Sequence, residues 1–187
     1  HIPLLDEGEK VADVALLGEL TKLRTPPLTA VVMTGGYGTR LRPLTEELPK
    51  SMLPLGDRPL LERTIDQLRS AGISRVKLAT HFEGQKIVDH FGDGSEFGVE
   101  ISYVNEDRPL GTAGALGLLD EPDEPLLVIN GDILTGVDFE AIHRFHTEHR
   151  ADMTVALRHH EYEVPFGVVD IDGVELTAIR EKPTERI

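Results

Sequence analysis

The chain has 187 residues and a formal net charge of −14 at pH 7, from 33 Asp and Glu against 19 Lys and Arg. This charge argues against nucleic acid or an anionic membrane surface as a partner, because both bind clustered basic residues. Cysteine is absent, which excludes a disulfide framework and a zinc–thiolate site. No run of about 18 apolar residues predicts a membrane-spanning helix. These properties favour a globular, cytoplasmic protein.

A proline pair in the sequence PPLT, residues 26–29, separates an N-terminal segment, residues 1–27, from the rest of the chain. Apolar residues between positions 10 and 24 recur near helical spacing, which predicts a helix or a strand followed by a helix. The chain starts without Met and ends without a stop signal, so we expect it to be a fragment of a longer protein.

From residue 28 onward, predicted strands and helices alternate. Apolar runs predict strands at residues 28–33, 74–80, 99–104, 125–130, 152–158, 166–171 and 174–181. Apolar residues at helical spacing predict helices at residues 59–72, 84–91, 112–119 and 138–150, and the buried face of the last is expected to be Phe139, Ile142 and Phe145. The sequence DIDG, residues 170–173, predicts a tight hairpin turn.

This alternation predicts an α/β fold, specifically a Rossmann-like three-layer sandwich with a mostly parallel sheet covered on both faces. In such sheets, ligands bind beyond the carboxyl ends of the strands. The loops after the strands at residues 28–33, 99–104 and 125–130 are therefore expected to share one crevice.

The loop after the first of these strands combines glycines with basic residues, in the sequence TGGYGTRLRPLTEELPKSMLPLGDRP, residues 34–59. This acidic chain has a local excess of basic residues here: Arg40, Arg42, Lys50 and Arg58 against Glu46, Glu47 and Asp57. A cationic, glycine-rich loop on an anionic protein favours a small anionic ligand.

Two familiar phosphate-binding patterns fail at a required position. A dinucleotide fingerprint starting at Gly36 needs glycine at position 41, where the chain has Leu41. A Walker loop ending in Lys50 needs glycine at position 49, where the chain has Pro49.

A third pattern, GGxGTRLxPLT followed by PKxxxP, has every residue it requires. Gly35, Gly36 and Gly38 allow backbone N–H groups to approach triphosphate oxygens. Arg40 offers a planar fork for two phosphate oxygens, and Lys50 adds a mobile point charge.

Four further blocks follow in order: YVNEDRPLGTAGAL at residues 103–116, LLVINGDIL at 126–134, PFGVV at 165–169 and IREKP at 179–183. With these blocks, residues 28–187 resemble the sugar-1-phosphate nucleotidylyltransferases, and among them the mannose- and heptose-1-phosphate guanylyltransferases. The resemblance implies a catalytic domain of the nucleotide-diphospho-sugar transferase type. This domain is expected to be incomplete at its C-terminus, because the family's second metal-binding Asp has no counterpart. Residues 1–27 weakly resemble the end of a CBS domain.

The resemblance also implies roles for individual residues. The catalytic residues are Arg40 and Lys50, and the metal ligand, for Mg2+, is Asp132. The nucleotide-binding residues are Gly35, Gly36, Gly38, Thr39, Glu106 and Gly111. The residues on the sugar-phosphate side are Gly167, Glu181 and Lys182. Tyr37 is assigned no role.

The implied reaction transfers a nucleoside monophosphate from an NTP to a sugar 1-phosphate. A carboxylate at Glu106 can accept two donors from guanine, which favours GTP and, with the resemblance, a mannose-1-phosphate-like sugar. Two alternatives stay open: a catalytically silent regulatory paralogue that binds nucleotide sugars, and a non-sugar cytidylyltransferase. A homo-oligomer also stays open.

Overall fold

The computed structural model describes residues 2–5, 11–15 and 28–186. The chain divides into two compact units, residues 1–145 and residues 146–187. Strands β1 (Ile2–Leu5) and β2 (Val11–Ala15) pair antiparallel. The strand at β2 agrees with the predicted strand-helix piece. The predicted helix after it and most of the CBS-like segment lie outside the described residues.

The next strands in chain order are β3 (Thr29–Met33), β4 (Pro54–Leu55), β5 (Arg58–Pro59), β6 (Arg75–Thr80), β7 (Glu100–Asn105) and β8 (Leu126–Asn130). The α-helices are α1 (Leu60–Ser70), α2 (Gly84–Phe91) and α3 (Phe139–His149). Short 3-10 turns are formed by Thr39–Leu41, Lys50–Met52, Ser95–Phe97 and Gly114–Leu118.

A four-stranded parallel sheet of order β7-β6-β3-β8 forms the centre of the first unit. Thr29, at the start of β3, pairs with Arg75 of β6 and Leu126 of β8. Because the strands start in register, their carboxyl ends meet at the same edge. The predicted α/β class with a mostly parallel central sheet is confirmed.

The hydrophobic core joins α1 and α2 to this sheet. On α1, Leu61, Ile65 and Leu68 are fully buried at helical spacing and belong to one cluster with Val32 and Leu78 from the sheet. Fully burying a side chain of this size contributes about 1.5–3 kcal/mol. This packing gives the carboxyl edge of the sheet a rigid support.

Two predictions of regular structure are wrong. The segment at 112–119 forms only the short 3-10 turn Gly114–Leu118, since each glycine in it costs about 1 kcal/mol relative to alanine in an α-helix. The segment at 152–158 is not a strand, because none of the described residues pairs with it, and Met153, Val155 and Leu157 are exposed. Apolar alternation alone does not make a strand without a neighbour to bond.

The buried face predicted for α3 is only partly correct. Phe139 is buried in the core cluster, whereas the side chain of Phe145 is 52% exposed. Only the first turn of α3 contributes to that cluster. Among the described residues, no helix is long and apolar enough to cross a membrane.

The second unit is built from antiparallel pairs. Strands β9 (Glu161–Glu163) and β12 (Thr184–Arg186) pair with each other, as do β10 (Val168–Asp172) and β11 (Glu175–Arg180). Gly173 has a φ of +61° in the turn of the second pair, which confirms the predicted hairpin.

Tyr103 on β7 gives a pH-dependent prediction for stability. Its hydroxyl donates a hydrogen bond to the carbonyl of Gly92 at 2.6 Å. Burial raises the pKa of the Tyr103 phenol above its ordinary value, and the negative charge of Asp93 raises it further. The folded state therefore favours the neutral phenol. The contribution of the neutral Tyr103 phenol to the free energy of unfolding is complete below its unfolded pKa of about 10. This contribution is lost as the pH rises through the folded pKa.

We expect Tyr103→Phe to lower the free energy of unfolding by about 1 kcal/mol at pH 7. The difference from wild type should shrink above about pH 10, where the Tyr103 phenol of the unfolded chain begins to ionise. Urea unfolding of both proteins at several pH values measures this difference. Tyr162→Phe, which removes an exposed hydroxyl on β9, is the control at pH 7 and should change stability by less than about 0.5 kcal/mol. A Tyr103→Phe difference that stays constant up to about pH 11 would contradict the assignment.

Candidate nucleotide-binding site

Three loops meet at the carboxyl edge of the parallel sheet, as the strand pattern predicted. Backbone hydrogen bonds hold the start of each loop: Thr34 N to Ala79 O at 2.9 Å, Glu106 N to Thr80 O at 2.8 Å, and Gly131 N to Met33 O at 2.9 Å. The Thr34 hydroxyl also donates to Ala79 O, at 2.7 Å. These bonds extend the sheet by one residue and fix where each loop begins.

The glycine-rich turn after β3 is shaped by close packing at two positions. A Cβ on Gly35 would lie 3.2 Å from Glu106 Oε1 and 3.2 Å from His81 Cβ, so this position has little room for a side chain. Gly38 has a φ of +60°, and its carbonyl accepts a 2.8 Å hydrogen bond from the Thr45 hydroxyl. Gly36 between them is exposed, and a Cβ added there would meet no described atom within 4 Å. The turn therefore leaves bare backbone accessible at Gly36.

Arg40 follows in the 3-10 turn Thr39–Leu41 and is exposed. Its guanidinium forms no ion pair or hydrogen bond with any residue in the described part of the chain. By contrast, Arg63 bonds to the carbonyl of Leu55 and to Asp57. An uncommitted guanidinium beside a glycine turn can bind an anion without first breaking a protein contact.

Lys50 and Asp132 come from loops 82 residues apart and form an ion pair. The Lys50 ammonium donates a hydrogen bond to Asp132 Oδ2, and the side chains are 40% and 32% exposed. A pair this accessible to water is worth at most about 1 kcal/mol to stability. Its importance is its position, because Asp132 lies two residues past the end of β8 and has the Lys50 ammonium beside it.

The family resemblance implies Mg2+, and Asp132 fits that ion. Its carboxylate already contacts one cation, the Lys50 ammonium, and is accessible from solvent. No group of three or more metal-ligating side chains occurs among the described residues. Mg2+ commonly takes only one or two carboxylates and completes its shell with substrate phosphates and water. The donor set therefore suits a metal that arrives with a phosphorylated ligand.

Glu106 lies at the start of the loop after β7 and is only 6% exposed. Its Oε2 accepts a hydrogen bond from Leu110 N at 3.0 Å, so the carboxylate stabilises its own loop. A carboxylate has about four acceptor positions, which leaves capacity for a ligand. Gly111 closes the loop with a φ of +86°. That both residues bind a nucleobase stays a prediction.

In the second unit, two of the three predicted sugar-phosphate residues are neighbours. A Cβ on Gly167 would lie 3.2 Å from Glu181 Oε2. Lys182 is exposed and has a φ of +42°, which is unusual for a residue with a side chain. Strained backbone of this kind is found preferentially at ligand sites. Their role stays a prediction.

Sequence reasoning missed a cluster around the glycine-rich turn. Tyr37 contacts His81 and Phe82, both just past the end of β6. The Tyr37 hydroxyl lies 3.0 Å from His81 Nε2, and His81 Nδ1 lies 2.6 Å from Glu106 O. No motif signals these contacts, since Tyr37 and His81 are 44 residues apart.

Known proteins resemble this chain in sequence and in fold. Residues 29–187 match the family described as nucleotidyl transferase. A mannose-1-phosphate guanylyltransferase of Mycobacterium tuberculosis is 38% identical over 172 residues, which are 88% of this chain and 48% of that protein. A mannose-1-phosphate guanyltransferase of Candida albicans is 35% identical over 166 residues, 84% of this chain and 46% of that protein. The chain thus spans about half the length of the curated relatives that it matches.

A solved structure supports the same assignment. HddC from Yersinia pseudotuberculosis, complexed with GMP-PN, is 27% identical with a TM-score of 0.58, over 85% of this chain and 72% of that one. The likeness confirms the predicted fold type. Since the family match covers residues 29–187, the chain belongs to the nucleotidyl transferase family, and its predicted resemblance to the sugar-1-phosphate nucleotidylyltransferases is confirmed.

Proposed function

We propose that the protein transfers a nucleoside monophosphate from an NTP to a sugar 1-phosphate, with GTP and a mannose-1-phosphate-like sugar favoured. One observation carries the proposal: the bare glycine turn, the uncommitted Arg40 and the Lys50–Asp132 pair occur at one edge of the sheet. The names of the relatives support the choice of guanine nucleotide and mannose 1-phosphate. The cytoplasm is the proposed location.

The reaction needs no protein nucleophile. An oxygen of the sugar 1-phosphate attacks the α-phosphorus of the NTP, a new P–O bond forms, and the bond between the α- and β-phosphates breaks. Pyrophosphate leaves with the electron pair of that bond, and the NDP-sugar is the other product. The attacking phosphate is already ionised near neutral pH. The protein therefore has to position two anions and neutralise their charge.

The residues at the carboxyl edge of the sheet supply the first half of this task. The amides of Gly35, Gly36 and Gly38, followed by Thr39, would bind the triphosphate oxygens. Arg40 would stabilise the negative charge that grows on the leaving pyrophosphate, because its guanidinium is unengaged. These donors and this cation lie within six residues along the chain, on one turn.

Lys50 and Asp132 would neutralise the charge at the reacting phosphates. Lys50 would exchange its bond to Asp132 for a phosphate oxygen, which reduces repulsion between the two substrates. Asp132 would hold Mg2+, which when bound supplies Lewis-acid polarisation of a phosphate oxygen. When Lys50 leaves Asp132 for a phosphate oxygen, the carboxylate is left without a cation. Binding of Mg2+ to Asp132 would replace that cation, so each exchange would favour the other.

The remaining predicted residues would select the substrates. Glu106 and Gly111 would contact the base, where an acceptor carboxylate suits the two donors of guanine. Gly167, Glu181 and Lys182 would bind the sugar phosphate, with Glu181 accepting hydroxyl hydrogen bonds and Lys182 pairing with the 1-phosphate. A silent regulatory paralogue is not favoured, since it would be expected to lose Arg40, Lys50 or Asp132.

The direct test screens the full-length protein by thermal shift against GTP, ATP, CTP, UTP and dTTP, each with Mg2+ and with EDTA. A bound nucleotide at about 100 times its Kd stabilises the protein by about 2.7 kcal/mol. We expect GTP with Mg2+ to give the largest shift and EDTA to reduce it. Pyrophosphate release with a panel of sugar 1-phosphates then identifies the sugar. Stabilisation by no nucleotide would contradict the proposal, and binding without pyrophosphate release for any sugar would favour the regulatory alternative.

Arg40→Ala should lower kcat by about 10²–10³-fold, because one preorganised contact to transition-state charge is removed. Folding should be unaffected, since the exposed Arg40 side chain forms no hydrogen bond or ion pair with the described residues. The control is Arg42→Ala, which removes the same charge from the same exposed loop and has no assigned role. Steady-state pyrophosphate release measures both variants. Near-normal turnover in Arg40→Ala, or an equal loss in both variants, would remove Arg40 from the mechanism.

A further inference from the structure

Two side chains link the glycine-rich turn to the loop after β7 by hydrogen bonds. The Tyr37 hydroxyl lies 3.0 Å from His81 Nε2, and His81 Nδ1 lies 2.6 Å from the backbone carbonyl of Glu106. Tyr37 belongs to the turn proposed to bind the triphosphate. Glu106 begins the loop proposed to bind the base. His81 therefore connects the two proposed halves of the nucleotide site.

The chemistry of these atoms fixes the direction of the hydrogen bonds. A backbone carbonyl can only accept, so His81 Nδ1 must carry the hydrogen that is shared with Glu106 O. In the neutral imidazole, Nε2 is then the acceptor, and the Tyr37 hydroxyl donates to it. Both polar ends of the imidazole are occupied, which leaves the ring a single orientation.

Aromatic packing restrains Tyr37 in addition. Its ring meets His81 edge-on, with centroids 5.5 Å apart and planes at 88°, and lies 5.4 Å from Phe82. Such aromatic pairs stabilise a structure by more than the burial of their surface area alone. The ring nevertheless remains 42% exposed, so this restraint is not explained by core packing.

The same histidine also packs against the turn directly. A Cβ on Gly35 would lie 3.2 Å from His81 Cβ and from Glu106 Oε1. Glu106 in turn accepts from Leu110 N, which fixes the rest of its loop. Tyr37 is therefore hydrogen-bonded to His81, and His81 to the backbone of the loop at Glu106.

We propose that Tyr37 and His81 are positioning residues that set the spacing between the triphosphate turn and the base loop. The inference rests on the proposed function, because it assigns the two halves of one nucleoside triphosphate to these loops. Neither Tyr37 nor His81 is assigned to the reacting phosphates, so the pair acts on which nucleotide binds and how tightly. When the spacing is fixed, only a base that fits the loop can bind while its triphosphate occupies the turn. When the spacing relaxes, the differences in affinity among the nucleotides become smaller.

The test measures the Kd of the four ribonucleoside triphosphates, with Mg2+, by calorimetry on the full-length protein. Tyr37→Phe keeps the ring and removes only the hydrogen bond to His81. His81→Asn keeps a donor for Glu106 O but cannot reach Tyr37. Each variant should raise the Kd of the tightest-binding nucleotide by about five- to tenfold and leave the Kd of the weakest-binding nucleotide nearly unchanged. The double variant should raise the Kd of that nucleotide no further than either single variant does, because both changes break the same link.

Tyr162→Phe is the matched control, since it removes an exposed tyrosine hydroxyl from the second unit and should leave all four Kd values unchanged. Equal weakening of every nucleotide, or no weakening of any, in folded Tyr37→Phe and His81→Asn would overturn the inference while the proposed function stands. Failure of the wild-type protein to bind any of the four would instead overturn the proposed function. The kcat of Tyr37→Phe should stay within about twofold of wild type, which separates positioning from catalysis.

Discussion

The shared register of the parallel strands is the constraint on which the candidate site depends. Met33 of β3 pairs with both Ala79 of β6 and Asn130 of β8, so the three strands end side by side. The glycine turn begins two residues after Met33, and Asp132 lies two residues after Asn130. A shift in register would separate the turn from Asp132. It would also separate the charged groups that the proposed reaction requires.

The local balance of charge is what would let so acidic a chain offer the proposed phosphate site. A carboxylate beside a triphosphate would repel it unless a cation lies between them. In this structure the Lys50 ammonium contacts Asp132, and Arg40 adds a positive charge without an ion-pair partner among the described residues. The remaining acidic residues are spread over the chain, where water and salt screen them. The local pattern of charge therefore matters more here than the net charge of −14.

Much of the fold could be predicted, because its elements have a strong internal period. Helices α1 and α2 and the four parallel strands follow the apolar pattern closely. The segment at 152–158 could not be placed by its pattern, since a strand also needs a bonded neighbour. For the candidate site, the residues near Gly35 and Asp132 could be predicted from contiguous motifs, and their roles stay predictions. The Tyr37–His81 link was missed because 44 residues of chain separate two residues with no motif in common.

The proposed function requires that the bare glycine amides at the carboxyl edge of the sheet bind the triphosphate. Titration of ¹⁵N-labelled protein with Mg·GTP, followed through the backbone amide shifts by NMR, measures whether they do. We expect the amides of Gly35, Gly36 and Gly38 to shift most and to saturate together. At the opposite edge of the sheet lies a cavity of about 450 Å³, lined in part by Thr29 and Arg75. If only the amides of residues lining that cavity shift and saturate, while the glycine amides do not shift, the triphosphate does not bind at the glycine-rich turn.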